Sequence, residues 1–323
     1  MDFKLKKPDM VQEAAKTGGK NVVLEILMFV GLFFVAILVE NLIFMGVEMV
    51  TLFTQPEVLE ATQSGDLEKL LLLEQEFLRS DAIMILQLFL TLVMTGMTML
   101  FCKVIQKRRM RTLGFKKPGM WKEYGIGMVV GFGMMAAIVL VGVVTGAMTL
   151  EFNAESMTAG GLGMLALLLV GFLLQGASEE ILCRGYFLVS LARKNGRIWM
   201  AVILNAVAFG ALHLGNAGLT PLSMVNLILF GIFASIYFVK RGNIWGIAAV
   251  HSIWNFAQGN IFGVLVSGND FGTTVFKTTL NEEMTLINGG AFGLEGGILT
   301  TIVLVVGSLV LLTTKQKDVA SEA

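Results

Sequence analysis

Eight apolar runs constrain this chain more than any other feature. They cover residues 22–53, 82–102, 124–150, 161–182, 199–214, 222–239, 244–266 and 291–312. A helix needs about 20 apolar residues to cross the roughly 30 Å hydrocarbon core of a bilayer, where the backbone must satisfy its own hydrogen bonds. The runs therefore predict an all-α fold, a polytopic integral membrane protein with about eight transmembrane helices. Composition agrees: of 323 residues, 55% are hydrophobic and 15% charged, against about 25% charged in a soluble domain. Twenty-four basic residues balance 24 acidic ones, so global charge gives no nucleic acid a reason to bind, and none is expected as a partner. Two cysteines, Cys102 and Cys183, near span ends on the same side, predict no disulfide.

The placement of the charges orients the spans. Lysines 4, 6, 7, 16 and 20 precede the first run, and Lys103, Lys107, Arg108, Arg109, Arg111, Lys116, Lys117 and Lys122 follow the second. Arg193, Lys194 and Arg197 follow the fourth, Lys240 and Arg241 the sixth, and Lys315 and Lys317 the last. Only Lys69, Arg79 and Lys277 fall in the opposite set of loops, whereas Glu57, Glu60, Asp66, Glu68, Glu74, Glu76 and Asp81 crowd the first of these. The positive-inside rule then predicts cytoplasmic N- and C-termini. The first apolar run is too long for a signal-peptide core, so no cleaved leader is expected. Residues 54–81 contain the amphipathic string LEKLLLLEQEFL, which suits a solvated helical loop or a helix lying on the membrane surface.

Ionisable groups inside hydrocarbon are costly and tend to mark function. They concentrate in three strings: Glu179, Glu180 and Arg184 in SEEILCRGYF, His213 in FGALHLGN, and His251 with Asn255 in AAVHSIWNFAQGN. Residues four apart share a helix face, which pairs Glu180 with Arg184, Phe209 with His213, and His251 with Asn255. Glu179 points about 100° away from Glu180, so the adjacent acids have separate tasks. A turn at Asn195 and Gly196 brings Glu179 and His213 to similar heights, and the spacing permits one Glu–His–His–Asn cluster open to the cytoplasmic side. A carboxylate and a histidine can deprotonate a shared water, while a histidine and an asparagine can donate to an oxyanion. Glu179, His213 and His251 are alternatively a hydrolytic set for a divalent metal such as zinc, although the spacing lacks HExxH. Glu180–Arg184 also reads as a plain packing ion pair. Glu25, Glu40 and Glu48 in the first run suit helix contacts, with Glu40 able to reach a cavity. The string GLGMLALLLVGFLLQG suits close helix packing.

EEILCR, FGALH and HSIWN fit the EExxxR, FxxxH and HxxxN signatures, in order and each on its own span. In this the chain resembles the CAAX prenyl endopeptidase and bacteriocin-processing (CPBP, or Abi) family of intramembrane proteases. The resemblance implies an endopeptidase in which Glu179 and His213 activate water, His251 and Asn255 stabilise the oxyanion, and Glu180, Arg184 and Phe209 support the site. It implies no cofactor in the glutamate-dependent mechanism favoured here, a divalent metal in the alternative one, and a peptide or protein substrate, possibly lipidated, reached from membrane lipid. A non-catalytic immunity, scaffold or transport protein of the same fold is the competing class. The expected organisation is a cytoplasmic tail over residues 1–21, about three spans over 22–160, a protease core over 161–268, and an outer loop, last span and cytoplasmic tail over 269–323. The expected location is a prokaryotic plasma membrane.

Overall fold

The computed structural model describes residues 5–195 and 197–316. After a short α1 (Asp9–Ala15), helix α2 (Val22–Phe53) runs the full length of the first apolar stretch. Asn21 sets its start by accepting a hydrogen bond from the Leu24 N–H at 2.8 Å. Residues 54–80 form a helical pair, α3 (Pro56–Ser64) and α4 (Leu67–Arg79), before α5 (Asp81–Val104) returns. The next helix is α6 (Met120–Val144), followed by strand β1 (Met148–Phe152). Helix α7 (Ala159–Glu180) passes without a break into a π-helical turn over Ile181–Leu188 and then α8 (Val189–Asn195). Helices α9 (Ile198–Ala211) and α10 (Pro221–Arg241) come next, and α11 (Trp245–Phe256) likewise ends in a π turn, Ala257–Ile261. A cap of strand β2 (Phe276–Leu280), helix α12 (Thr285–Asn288) and tight turns precedes α13 (Ile298–Thr313). Gly196, at the expected turn, and Lys4 and Lys317, in the expected tails, lie outside the described residues.

Each of the eight apolar runs contains a helix, and the protein is an all-α polytopic membrane protein. Among the described residues, five helices are long and apolar enough to cross a bilayer, while α9 and α13 are shorter apolar helices. The run at 124–150 is not one span. Gly146, at φ 75°, turns the chain after α6, and the apolar tail pairs antiparallel with β2, Met148 opposite Leu280 and Phe152 opposite Phe276. The run at 291–312 is also divided: residues 290–297 fold as tight turns around a buried Glu295, and only the remainder is α13.

The loops sort into two ends, as their charges predict. At the basic end, Arg111 and Lys116 reach Glu13 and Asp9, Arg193 pairs with Glu25 at 2.8 Å, and Lys240 donates to the Leu312 and Thr314 carbonyls. At the far end, Asp81 accepts from the Gly272 N–H and the Thr273 hydroxyl, and Asn288 donates to the Ala147 carbonyl. The core lies between, where α11 is buried along almost its whole length among α6, α7 and α10. One glycine sets the closest approach near the polar cluster. A Cβ at Gly176 would lie 2.5 Å from Ser252 Oγ and 2.7 Å from its nitrogen, so only glycine lets α7 press this tightly on α11.

Candidate active site

Both strings that carry the intramembrane acids and His251 run directly into π turns. Glu179 and Glu180 end α7 just before one, and His251 and Asn255 sit on α11 just before the other. A π turn displaces carbonyls from their ordinary i→i+4 partners, and at membrane depth those groups need substitutes. Asn205 Nδ2 donates to the Cys183 carbonyl at 2.6 Å, and the buried Arg108 donates to the Gly185 and Tyr186 carbonyls at 2.9 and 3.2 Å. Arg108 also binds Thr112 and Ser190. Burial lowers its guanidinium only to about 10, so it stays charged.

Glu180 and Arg184 form a fully buried ion pair at 2.8 Å, four residues apart as their spacing predicts. The same Glu180 oxygen accepts from His251 Nδ1 at 2.9 Å, which aims Nε2 of that ring away from the pair. The Arg184 guanidinium carbon stands 4.5 Å over the Phe209 ring, a cation–π contact. Phe209 in turn lies beside both histidines, with ring centroids 4.9 Å from His213 and 6.0 Å from His251. Glu180, Arg184 and Phe209 thus form the floor on which His251 is oriented.

Glu179 turns the other way, as its 100° offset requires. One oxygen accepts from Gln175 Nε2 at 2.5 Å. The other is buried, has no hydrogen-bond partner among the described residues, and lies 3.9 Å from His251 Nε2. Gln175 also accepts from Asn255 Nδ2 at 3.0 Å, so a single amide ties the carboxylate to the asparagine. The sequence reading missed Gln175. Its signal was its position one turn before Glu179 on the same face. His213 Nδ1 faces the Phe209 carbonyl at 2.9 Å; a carbonyl only accepts, so Nδ1 is the donor, and in the neutral ring Nε2 then carries the lone pair. Among the earlier acids, Glu25 pairs with Arg193 and Gln106, while Glu40 accepts from the Met94 N–H at 3.1 Å and lies within electrostatic range of Glu179.

Glu179, His213, His251 and Asn255 all line one cavity of about 230 Å³. Its apolar walls come from α5 (Met84, Leu88), α10 (Leu227, Phe230), α11 (Trp254) and α13 (Leu304). It continues past Asn216, Ser267 and Asn269, all in far-end loops, and Asn269 is exposed. The cluster was expected to open toward the basic end, and the structure corrects this. Tyr186, Phe187, Leu188, Val189 and Leu191 are buried below it, where the π turn and α8 are packed under α1, α2 and the Arg108 network. The hairpin of α8 and α9 fills the basic end.

The donor set does not gather as a metal site. Among the described residues no three His, Cys, Asp or Glu side chains converge as ligands, and His251 Nδ1 is already committed to Glu180. The cysteines are buried and unbonded. Residues 161–257 match the family model for type II CAAX prenyl endopeptidase Rce1-like proteins. This segment is similar to that family. The Rce1-like segment holds all seven residues singled out by the sequence motifs, and Gln175 as well. It stops at Ala257, the first residue of the second π turn, before the cap, and no curated protein or solved structure matches the chain.

Proposed function

We propose that this protein is an intramembrane endopeptidase that hydrolyses a peptide bond with water activated by Glu179 and His213. The observation that carries this reading is the free, buried oxygen of Glu179, facing a cavity shared with His213, His251 and Asn255. Water enters between Glu179 and the lone pair of His213 Nε2. It gives up a proton to this pair as its oxygen bonds to the scissile carbonyl carbon. The carbonyl π electrons move to oxygen, and the oxyanion is met by Asn255 Nδ2, which has a second N–H beyond the one given to Gln175, and by His251 Nε2–H. With Nδ1–H given to Glu180, His251 offers that second donor as the imidazolium, its charge set against the Glu179 and Glu180 carboxylates. When the oxyanion collapses, the C–N bond breaks and the proton held by the Glu179–His213 pair passes to the leaving amine. The roles implied for the seven motif residues are kept, and no metal or other cofactor takes part.

The Rce1-like match supports peptidase activity and a membrane-borne peptide or protein substrate. Lipidation of the substrate fits the apolar cavity walls. With the basic end in the cytoplasm, as the loop charges favour, both termini are cytoplasmic and the cavity mouth faces the other side of the membrane.

Single-turnover cleavage by purified protein tests the chemistry. Glu179→Ala and His213→Ala should each remove most activity, with the double variant little worse because the two act as one unit. Asn255→Ala should cost about 10²–10³ in rate. Near-wild-type cleavage by a well-folded Glu179→Ala sinks the assignment. Inactivation by chelator that zinc reverses would replace it with the metal alternative.

A further inference from the structure

Glu295 lies in the cap, outside the Rce1-like segment and within the single 3-10 turn Leu294–Gly296. It is only 7% exposed. Gln258 Nε2 donates to one of its carboxylate oxygens and Ser267 Oγ to the other, and no Lys, Arg or His pairs with it among the described residues. Buried carboxylates are ordinarily matched by a cation. Here Glu295 is instead one of the residues lining the cavity that holds Glu179, His213, His251 and Asn255. Burial raises its carboxyl from 4.5 to about 7, and a cation placed against it would favour the ionised form.

Its position relative to the hydrolytic cluster is set by α11. Gln258 follows Asn255 by three residues, about 5 Å along the helix. An extended peptide advances about 3.3 Å per residue. A carbonyl held at Asn255 therefore leaves the side chain one or two residues away at the height of Glu295. Asp270, exposed, directly follows Asn269 of the cavity lining and adds a negative charge beside the mouth.

We propose that Glu295 is a specificity-determining residue that receives a lysine or arginine side chain of the substrate, one or two residues from the cleaved bond. This deepens the peptidase reading and rests on it. The test is a set of peptides identical except for lysine, norleucine or glutamate at the two positions on either side of the scissile bond. Wild-type protein should cleave the best lysine peptide about 30-fold more efficiently in kcat/KM than its norleucine counterpart, as removal of a buried charge pair would cost. Glu295→Gln should bring that ratio close to one. A wild-type ratio of one, or a preference that survives in folded Glu295→Gln, overturns the proposal. Cleavage by Glu179→Ala would instead sink the hydrolytic assignment and leave the preference standing. Calorimetric titration of the lysine and norleucine peptides into Glu179→Ala reads the same selectivity without turnover, and equal affinities would likewise overturn it.

Discussion

The two ends of this molecule are built on opposite plans. At the basic end, charged groups are buried and paired: Glu25 with Arg193, and Arg108 with carbonyls and hydroxyls from residues 106–112 and 185–190. At the far end the helices stop short and hand over to turns and two strands, and the polar groups there surround a cavity. Side chains repair the backbone of one π turn and seal that end, while short helices leave a polar cavity at the other.

The largest effect should come from breaking the sealed end. Arg108→Ala strands at least two π-turn carbonyls in a buried setting and removes a charge from an established network, at a cost of about 3–5 kcal/mol. Thermal melting in detergent reads this directly. A loss within the range of an ordinary surface substitution would mean that the π turn does not depend on Arg108.

A smaller effect, of opposite character, belongs to the cap. Because the folded state raises the Glu295 carboxyl from 4.5 to about 7, it retains a proton between those values that the unfolded chain has released. Stability from this group is therefore fully present below about pH 4.5, falls as pH rises through the window, and levels off above about pH 7, a change on the order of 3 kcal/mol. Glu295→Gln should remove that part of the slope between pH 5 and pH 8 in paired melts. Parallel slopes for the two proteins would show that Glu295 does not titrate in this window.

How far the sequence speaks differs between these regions in the same way. The long spans and the sorting of loops into two ends were legible because hydrocarbon punishes charge and length alike. Glu179, Glu180, Arg184, His213, His251 and Asn255 stood out as polar groups within apolar runs, and the structure sets Glu179, His213, His251 and Asn255 around one cavity with the Glu180–Arg184 pair behind His251. Phe209 was read from its spacing to His213 and lies against that ring. Gln175 did not stand out, because an uncharged amide in a span costs too little to be conspicuous. Glu295 did not stand out either, because its burial depends on cap turns whose glycines fix no partner in advance. Strand β1 was absorbed into an apolar run, since five residues alternate too briefly to outweigh the helix before them. The direction of opening was misread because helix heights place the cluster but say nothing of which end is filled.

That direction is the claim most open to a single measurement. Cys102 and Cys183 are buried, so cysteines introduced at Asn269 in the far-end mouth and at Lys117 on the basic end can be alkylated selectively with a bulky maleimide. Alkylation at position 269 should block cleavage of a peptide substrate, and alkylation at position 117 should leave it unchanged. Block at 117 with full activity after modification at 269 would place the entrance at the basic end and contradict the far-end opening.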